Sequence, residues 1–279
     1  MLVNSKELLL NAKKKKYAIP ATNFIDLDSA RTFVNVAEKR KLPLILPFAQ
    51  SHRDIISLEE AALIGKYLAN SVSVPVVLHL DHGEDLDYIS KAIKLGFTSV
   101  MIDASQKSFE KNVEITKRVV EIAHENNVTV EAELGHVGAN DTSESNEITN
   151  SIYTEVSDVI SFVEQTNVDS LAVSIGTAHG IYKGTPKLNF DRLEEINNIV
   201  DIPLVLHGGS STGFKNLTRC ATSGISKINI YSDFLKAAIE SVNESSINDY
   251  IQLKKRINDE MAKVINTYFD VFKTDNYLS

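Results

Sequence analysis

Short apolar runs alternate with amphipathic windows along almost the whole chain. The apolar runs occupy residues 17–21, 44–48, 76–80, 99–102, 128–133, 170–175, 204–206 and 227–230. They are mostly continuous rather than alternating, which marks strands buried on both faces. Pro43, Pro75 and Pro203 each precede a run, where the missing backbone donor does no harm to a ladder. Between the runs, apolar positions recur every 3.6 residues over 29–40, 58–70, 86–95, 109–126, 156–166, 190–199 and 214–222, with a further helix at 233–243. Strands alternating with helices imply right-handed parallel crossovers. Eight such units in 279 residues predict an α/β fold, a (β/α)8 TIM barrel, as one domain over residues 1–279. The alternative, a doubly wound open sheet, lacks a Gly-x-Gly-x-x-Gly after its first strand.

Two stretches leave the alternation. Residues 135–152 are crowded with Asn, Asp, Ser, Thr and Glu. A loop of that length in a compact domain is either a functional lid or a solvated surface loop. At the end of the chain, apolar residues at helical spacing over 247–272 predict an additional C-terminal helix. It would close the barrel's bottom or pack on a second subunit.

Composition narrows the function. A net charge of −8 argues against a nucleic-acid partner. No apolar run approaches a membrane span, and the opening helix over residues 1–16 is amphipathic and ends in lysines, unlike a signal segment. The single Cys220 excludes an intrachain disulfide and points to a reducing, cytoplasmic setting.

The chemistry collects at the strand ends, where a barrel of this type carries its active site. Asn23 follows the first strand; Gln50, Ser51 and His52 follow the second. Then come Asp81-His82, Asp103, Glu131 with Glu133, His179-Gly180, His207-Gly208-Gly209-Ser210-Ser211 and Asn229-Ile230-Tyr231-Ser232. His82, His179 and His207 lie each beside a glycine. Three imidazoles with an open position is a catalytic zinc arrangement. Glu133 and Asp103 are candidates for ligands, for orienters of the histidines, or for proton transfer. His79, in mid-strand, reads as a hydrogen-bonded interior residue, and His124, on a helix, as a surface one. The loops after the last two strands suit a phosphate: glycines admit backbone amides and serines add hydroxyls. Ser232 is also an ordinary N-cap candidate. Metal, carboxylate and phosphate grip together suggest a phosphorylated carbonyl substrate cleaved at a carbon–carbon bond through a metal-stabilised enediolate. The Schiff-base route needs a lysine at a strand's end; Lys227 opens the eighth strand and Lys183 lies in a loop, so neither suits it.

Five motifs then carry a resemblance: Leu78-His79-Leu80-Asp81-His82-Gly83, Ser99-Val100-Met101-Ile102-Asp103-Ala104-Ser105, Val130-Glu131-Ala132-Glu133-Leu134-Gly135, Gly176-Thr177-Ala178-His179-Gly180 and His207-Gly208-Gly209-Ser210. In order and spacing, from about Val3 to Asp233, the chain resembles the class II, zinc-dependent ketose-bisphosphate aldolases, in the branch with tagatose- and fructose-bisphosphate aldolases. The resemblance implies that Asp81 handles the proton at the aldehyde oxygen, that His82, His179 and His207 bind Zn2+, and that Glu133 stands near the metal as an alternative ligand. It implies a dihydroxyacetone phosphate site made of Gly180, Gly208, Gly209, Ser210 and Asn229, Ile230, Tyr231 and Ser232. It also implies backbone ligands for a monovalent cation (Na+ or K+) at Gly180 and Gly208, a phosphorylated sugar substrate, and a homodimer or homotetramer.

The chain departs from the family pattern in places. Asp141 in Gly138-Ala139-Asn140-Asp141-Thr142 is the nearest substitute for the family's loop glutamate. Ser211 adds a Cβ where the family has glycine, and Tyr231 is bulky beside the phosphate site. These changes leave open another ketose phosphate, or a non-catalytic sugar-phosphate binder. A metal-dependent hydrolase on a similar barrel would carry His-x-His after the first strand; Ala21-Thr22-Asn23-Phe24 stands there instead. Gln50, Ser51 and His52 are candidates for reading the aldehyde half.

Overall fold

The structure, a computed structural model, describes residues 1–139, 153–180, 182, 186–243 and 249–279. Asp141, Lys183 and most of the 135–152 stretch lie outside the described residues.

The chain opens with helix α1 (Lys6–Lys15), followed by strand β1 (Ile19–Thr22), helix α2 (Leu27–Arg40) and strand β2 (Leu44–Ala49). A short 3₁₀ turn (Gln50–His52) leads to α3 (Leu58–Asn70), β3 (Val76–Gly83), α4 (Leu86–Leu95), β4 (Ser99–Ile102), α5 (Phe109–Glu125) and β5 (Thr129–Leu134). A two-residue strand β6 (Gly138–Ala139) precedes α6 (Val156–Thr166) and β7 (Ser170–Val173). After a second short strand, β8 (Ala178–His179), come α7 (Phe190–Ile199), β9 (Leu204–Leu206), α8 (Phe214–Thr222), β10 (Ile225–Ile230), α9 (Ser232–Asn243) and α10 (Tyr250–Val271).

Eight parallel strands close in the order β1-β10-β9-β7-β5-β4-β3-β2, the (β/α)8 barrel expected from the sequence. Local chemistry starts the helices: Asp26, Ser57, Asp85 and Ser108 each accept a hydrogen bond from a backbone amide of the first turn, each cap worth about 1 kcal/mol. The strands' outward side chains join the helices in one apolar core.

The structure corrects four details. β3 runs on to Gly83, so Asp81 and His82 are strand residues rather than followers of a strand. β10 begins at Ile225, which puts Lys227 inside the strand and its side chain, 1% exposed, inside the barrel. Ser232 is the first residue of α9 rather than its cap. β6 and β8 pair as a separate two-stranded sheet, Ala139 against His179; two-residue strands carry no periodic signal to read.

The C-terminal helix does not close the bottom. α10 lies along the outside against α2 and α9, burying Ile265, Tyr268 and Phe269 with the Phe33–Phe234 pair, whose ring centroids are 4.6 Å apart. Burying an aromatic of this kind stabilises by roughly 1.5–3 kcal/mol. It is α1 that plugs the N-terminal end. Leu8, Leu9 and Ala12 pack on the inward residues Ile19, Ala21, Ile45 and Val77, and Ser5 Oγ shares a 2.7 Å hydrogen bond with Thr129 Oγ1. Among the described residues no helix is long and apolar enough to cross a membrane.

Candidate active site

Strand alternation sends every second residue inward. On β3 that brings His79 and Asp81 into the barrel, on β5 Glu131 and Glu133, on β10 Lys227 and Asn229. His82 breaks the rule. Its φ of 47° is left-handed, and the β3–β4 register shifts between Leu80 and Gly83. That irregularity turns His82 to the same mouth as its neighbour Asp81.

Three imidazoles meet there. The ring centroids of His82 and His207 are 4.7 Å apart, those of His82 and His179 4.9 Å, and those of His179 and His207 5.7 Å. One nitrogen from each lies within 4.8 Å of the others. Carboxylates brace two of the rings from behind: His82 Nδ1 lies 2.9 Å from Asp103 Oδ2, and His207 Nε2 2.9 Å from Glu131 Oε1. Carboxylate bracing of this kind fixes the tautomer of a metal-binding imidazole. Glu133 Oε1 accepts a hydrogen bond from the Val137 amide at 2.9 Å, while its buried Oε2 has no hydrogen-bond partner among the described residues and lies 3.8 Å from His207 Nδ1. A buried carboxylate oxygen without a donor is costly unless a cation answers it. The three imidazoles and that orphaned oxygen fit a zinc ion.

Asp81 sits beside the cluster, fully buried. Asn23 Nδ2 donates to its Oδ2 at 2.9 Å and Asn229 Nδ2 to its Oδ1 at 3.1 Å. Burial pushes this carboxyl up, but the charges of His82, Lys227, His207 and His79 outweigh burial and hold it well below the usual carboxylate range. For His82, burial opposes the charged ring, and Asp81, Asp103 and Glu133 together raise its pKa well above the ordinary value. Asp103 is likewise held low against burial, chiefly by His82 and Ser105.

The last two strands supply the glycine-rich loop. Gly208 has φ 65°, and a Cβ there would stand 2.4 Å from the Ala178 carbonyl oxygen, so only glycine fits. Ser210 Oγ accepts from the Tyr231 and Asp233 amides at 3.0 and 3.4 Å, tying this loop to the start of α9. Ile230 and Gly209 pack together, and Ser232 is buried. Gly180, with φ 91°, follows His179. The Tyr231 ring lies over His52, centroids 4.9 Å apart. Ser51 is exposed on the 3₁₀ turn and, among the described residues, makes no hydrogen bond to the cluster. His124 is on the surface with Asp169, and His79 is interior, 2.8 Å from Ser99 Oγ.

A sequence profile of the family described as "Fructose-bisphosphate aldolase class-II" matches residues 3–277. The chain belongs to this family. It is a class II ketose-bisphosphate aldolase, an aldehyde-lyase. Among class II aldolase relatives, it is 38% identical over 252 residues to the fructose-bisphosphate aldolase of Staphylococcus epidermidis, 89% of this chain and 87% of that one. It is 36% identical over 274 residues to the D-tagatose-1,6-bisphosphate aldolase subunit GatY of Klebsiella oxytoca, 95% of this chain and 96% of that one. The crystal structure of the YdjI aldolase from Escherichia coli K12 superposes with a TM-score of 0.89 at 31% identity, covering 99% of this chain and 98% of that one.

Two residues of this class II aldolase site gained importance only in three dimensions. Lys227 donates to both oxygens of Glu131 at 2.8 Å, and Tyr182, through its hydroxyl, donates to the carbonyls of Ala178 and Gly208 at 2.8 and 3.1 Å. Strand alternation carried back from Asn229 would have pointed Lys227 inward. No sequence signal marks Tyr182.

Proposed function

We propose that this protein is a zinc-dependent aldolase that splits a ketose 1,6-bisphosphate, fructose or tagatose, into dihydroxyacetone phosphate and glyceraldehyde 3-phosphate. The observation that carries the proposal is the placing of Asp81, held by two asparagine amides, against the three-imidazole cluster. His82, His179 and His207 would hold zinc, with Glu133 as an alternative ligand. Zinc bound there would supply a Lewis acid that polarises the substrate's ketone. Asp81, ionised and aimed by Asn23 and Asn229, takes the proton of the C4 hydroxyl as the C3–C4 bond breaks. The bonding pair stays with C3, and C3 takes up a proton to complete dihydroxyacetone phosphate; in condensation Asp81 returns its proton to the aldehyde oxygen. Asn229 is also placed to bind the reactive end of dihydroxyacetone phosphate. Gly180, Gly208, Gly209, Ser210, Tyr231 and Ser232 would line its phosphate at the start of α9, the serines offering hydroxyls and the glycines room for close approach, and Ile230 backs that loop.

Na+ or K+ on the carbonyls of Gly180 and Gly208 is an accessory part of the proposal. There it would compete with the Tyr182 and Thr212 hydroxyls, which the Gly208 carbonyl already accepts at 3.1 and 3.0 Å. The proposal extends to a homodimer or homotetramer, read by light scattering, and to a cytoplasmic setting, which suits a lone buried thiol.

The test is steady-state cleavage of fructose 1,6-bisphosphate and tagatose 1,6-bisphosphate side by side, with and without a chelator, together with zinc analysis of the purified protein. Chelator-sensitive release of triose phosphate supports the proposal, and the ratio of kcat/KM values assigns the sugar. Stoichiometric zinc with no turnover of either sugar refutes the substrate and directs attention to Ser211 and Tyr231.

A further inference from the structure

Beneath the histidine cluster, one residue deeper along the alternation of β5 and β10, lies a buried ion pair. Glu131 and Lys227 are each about 1% exposed. Lys227 Nζ donates to both carboxylate oxygens at 2.8 Å, and Glu131 Oε1 also lies 2.9 Å from His207 Nε2. Lys227 Nζ is a further 3.4 Å from His79 Nε2, and the other nitrogen of His79 meets Ser99 Oγ. The charges of this chain help to keep Asp81 ionised, but the Lys227–Glu131 contact itself has no part in the proton transfer at Asp81. A buried ion pair is weak evidence for stability, since an apolar pair of similar volume usually does as well. Its presence in a barrel core calls for another reason.

We propose that the Lys227–Glu131 pair is a positioning device for His207. Glu131 lies in the grip of an ammonium, and it can only accept from His207. That requires a proton on His207 Nε2 and leaves the lone pair on Nδ1, the nitrogen that stands 3.0 Å from His82 Nε2 in the cluster. Lys227 keeps the carboxylate charged and aimed in a site closed off from the surface, where Glu131, Lys227 and His207 are all buried. Without the ammonium, Glu131 would bury an unanswered charge or take up a proton and become a donor itself. Either outcome frees the ring to turn or change tautomer. His82 is braced by Asp103 at the mouth, where both side chains keep some exposure. His207 has no exposure, so its brace needs its own counter-charge. Lys227 is thus a positioning residue rather than a catalytic one, and the proposal rests on the metal assignment of the same site.

The test uses the full-length protein with Lys227→Met and the double variant Lys227→Met/Glu131→Leu. The single variant strands a buried carboxylate and is expected to melt lower without metal. The double variant replaces the pair by apolar side chains of similar volume and is expected to recover the melting temperature of the metal-free wild type. It is not expected to recover zinc: affinity, measured by competition with a chromogenic chelator, should stay about 10–100-fold below wild type. Nitrogen NMR of the metal-free proteins reads the device directly. Wild-type His207 should show a single tautomer protonated at Nε2, and the double variant a mixture. Recovery of zinc affinity along with melting temperature would overturn the proposal, as would an unchanged His207 tautomer. If wild type binds no zinc, the metal assignment falls, and the tautomer measurement still decides the role of the pair.

Discussion

Asp233 holds Ser211 with both carboxylate oxygens: the Ser211 amide donates to Oδ2 at 3.0 Å and its hydroxyl to Oδ1 at 2.9 Å. Ser211 has φ 58°, the left-handed region that favours glycine. The hydroxyl tether offsets a conformational cost of about 1–2 kcal/mol and directs the added side chain at Asp233. Ser211→Gly should therefore change stability by less than about 1 kcal/mol, tether and strain being lost together. Asp233→Ala removes both bonds and the acceptor of the Tyr268 hydroxyl. It should cost roughly 2–3 kcal/mol and raise KM for the phosphorylated substrate. Urea melts and steady-state kinetics measure both; an unchanged KM in Asp233→Ala would detach this contact from the phosphate loop.

Asp81→Ala should lower kcat by about 10²–10⁴-fold, the usual share of a proton-transfer group, with zinc content at the wild-type level. Asp81→Asn should fold equally well and be equally inactive. Asn23 Oδ1 and Asn229 Oδ1 are buried without hydrogen-bond partners among the described residues, so either amide can flip to accept from the new NH₂. A variant with near-normal kcat would remove Asp81 from the reaction.

Gly208→Ala meets two obstacles, a left-handed φ and the Ala178 carbonyl 2.4 Å from the new Cβ. A loss of roughly 1–3 kcal/mol is expected, with weaker binding of inorganic phosphate because the loop must shift. Calorimetry of the variant gives the answer, and an unchanged melting temperature would mean that the β8 backbone yields without cost.

Burial opposes ionisation of Glu131, yet Lys227 and the His207 hydrogen bond pull its pKa from 4.5 down to about 2. A lowered carboxyl adds stability that is present above pH 4.5 and is lost as the pH falls from there toward 2. Within that window its protonation contributes a slope of up to about 1.4 kcal/mol per pH unit. Urea unfolding at a series of acid pH values should show a shallower decline for Lys227→Met/Glu131→Leu than for wild type. Superimposable acid limbs would contradict the depressed pKa.

Burial pushes the Cys220 thiol up to about 12. The native protein should be inert to Ellman's reagent at pH 8, and one thiol should react in guanidinium. Prompt reaction of the native protein would show that α8 opens readily.

Much of the barrel is legible in one dimension because its signals are local. A run such as Val76 to Leu80 is apolar whichever strands flank it, and the windows at 58–70, 86–95, 156–166, 190–199 and 214–222 coincide with helices in the structure. Boundaries shifted where tertiary contacts override propensity: β3 continues through two polar residues because β4 pairs with Gly83, and β10 starts early because Ile225 pairs with Leu204. The course of α10 was not readable, since an amphipathic face states that it is covered and not by what.

By itself, the sequence determined the strand–helix alternation, the eightfold count, and which residue types stand at each strand's end, because those depend on periodicity and turn chemistry within a few residues. Tertiary structure alone decided which of those residues meet. His82 on β3, His179 on the short strand β8 and His207 just after β9 are far apart in the chain and converge only when the barrel closes. Whether Glu131 braces His207 or Glu133 does, and whether Lys227 is a surface lysine or a buried counter-charge, depends on strand register and inward facing. Register is set by pairing between segments far apart in the chain, and no local pattern encodes it.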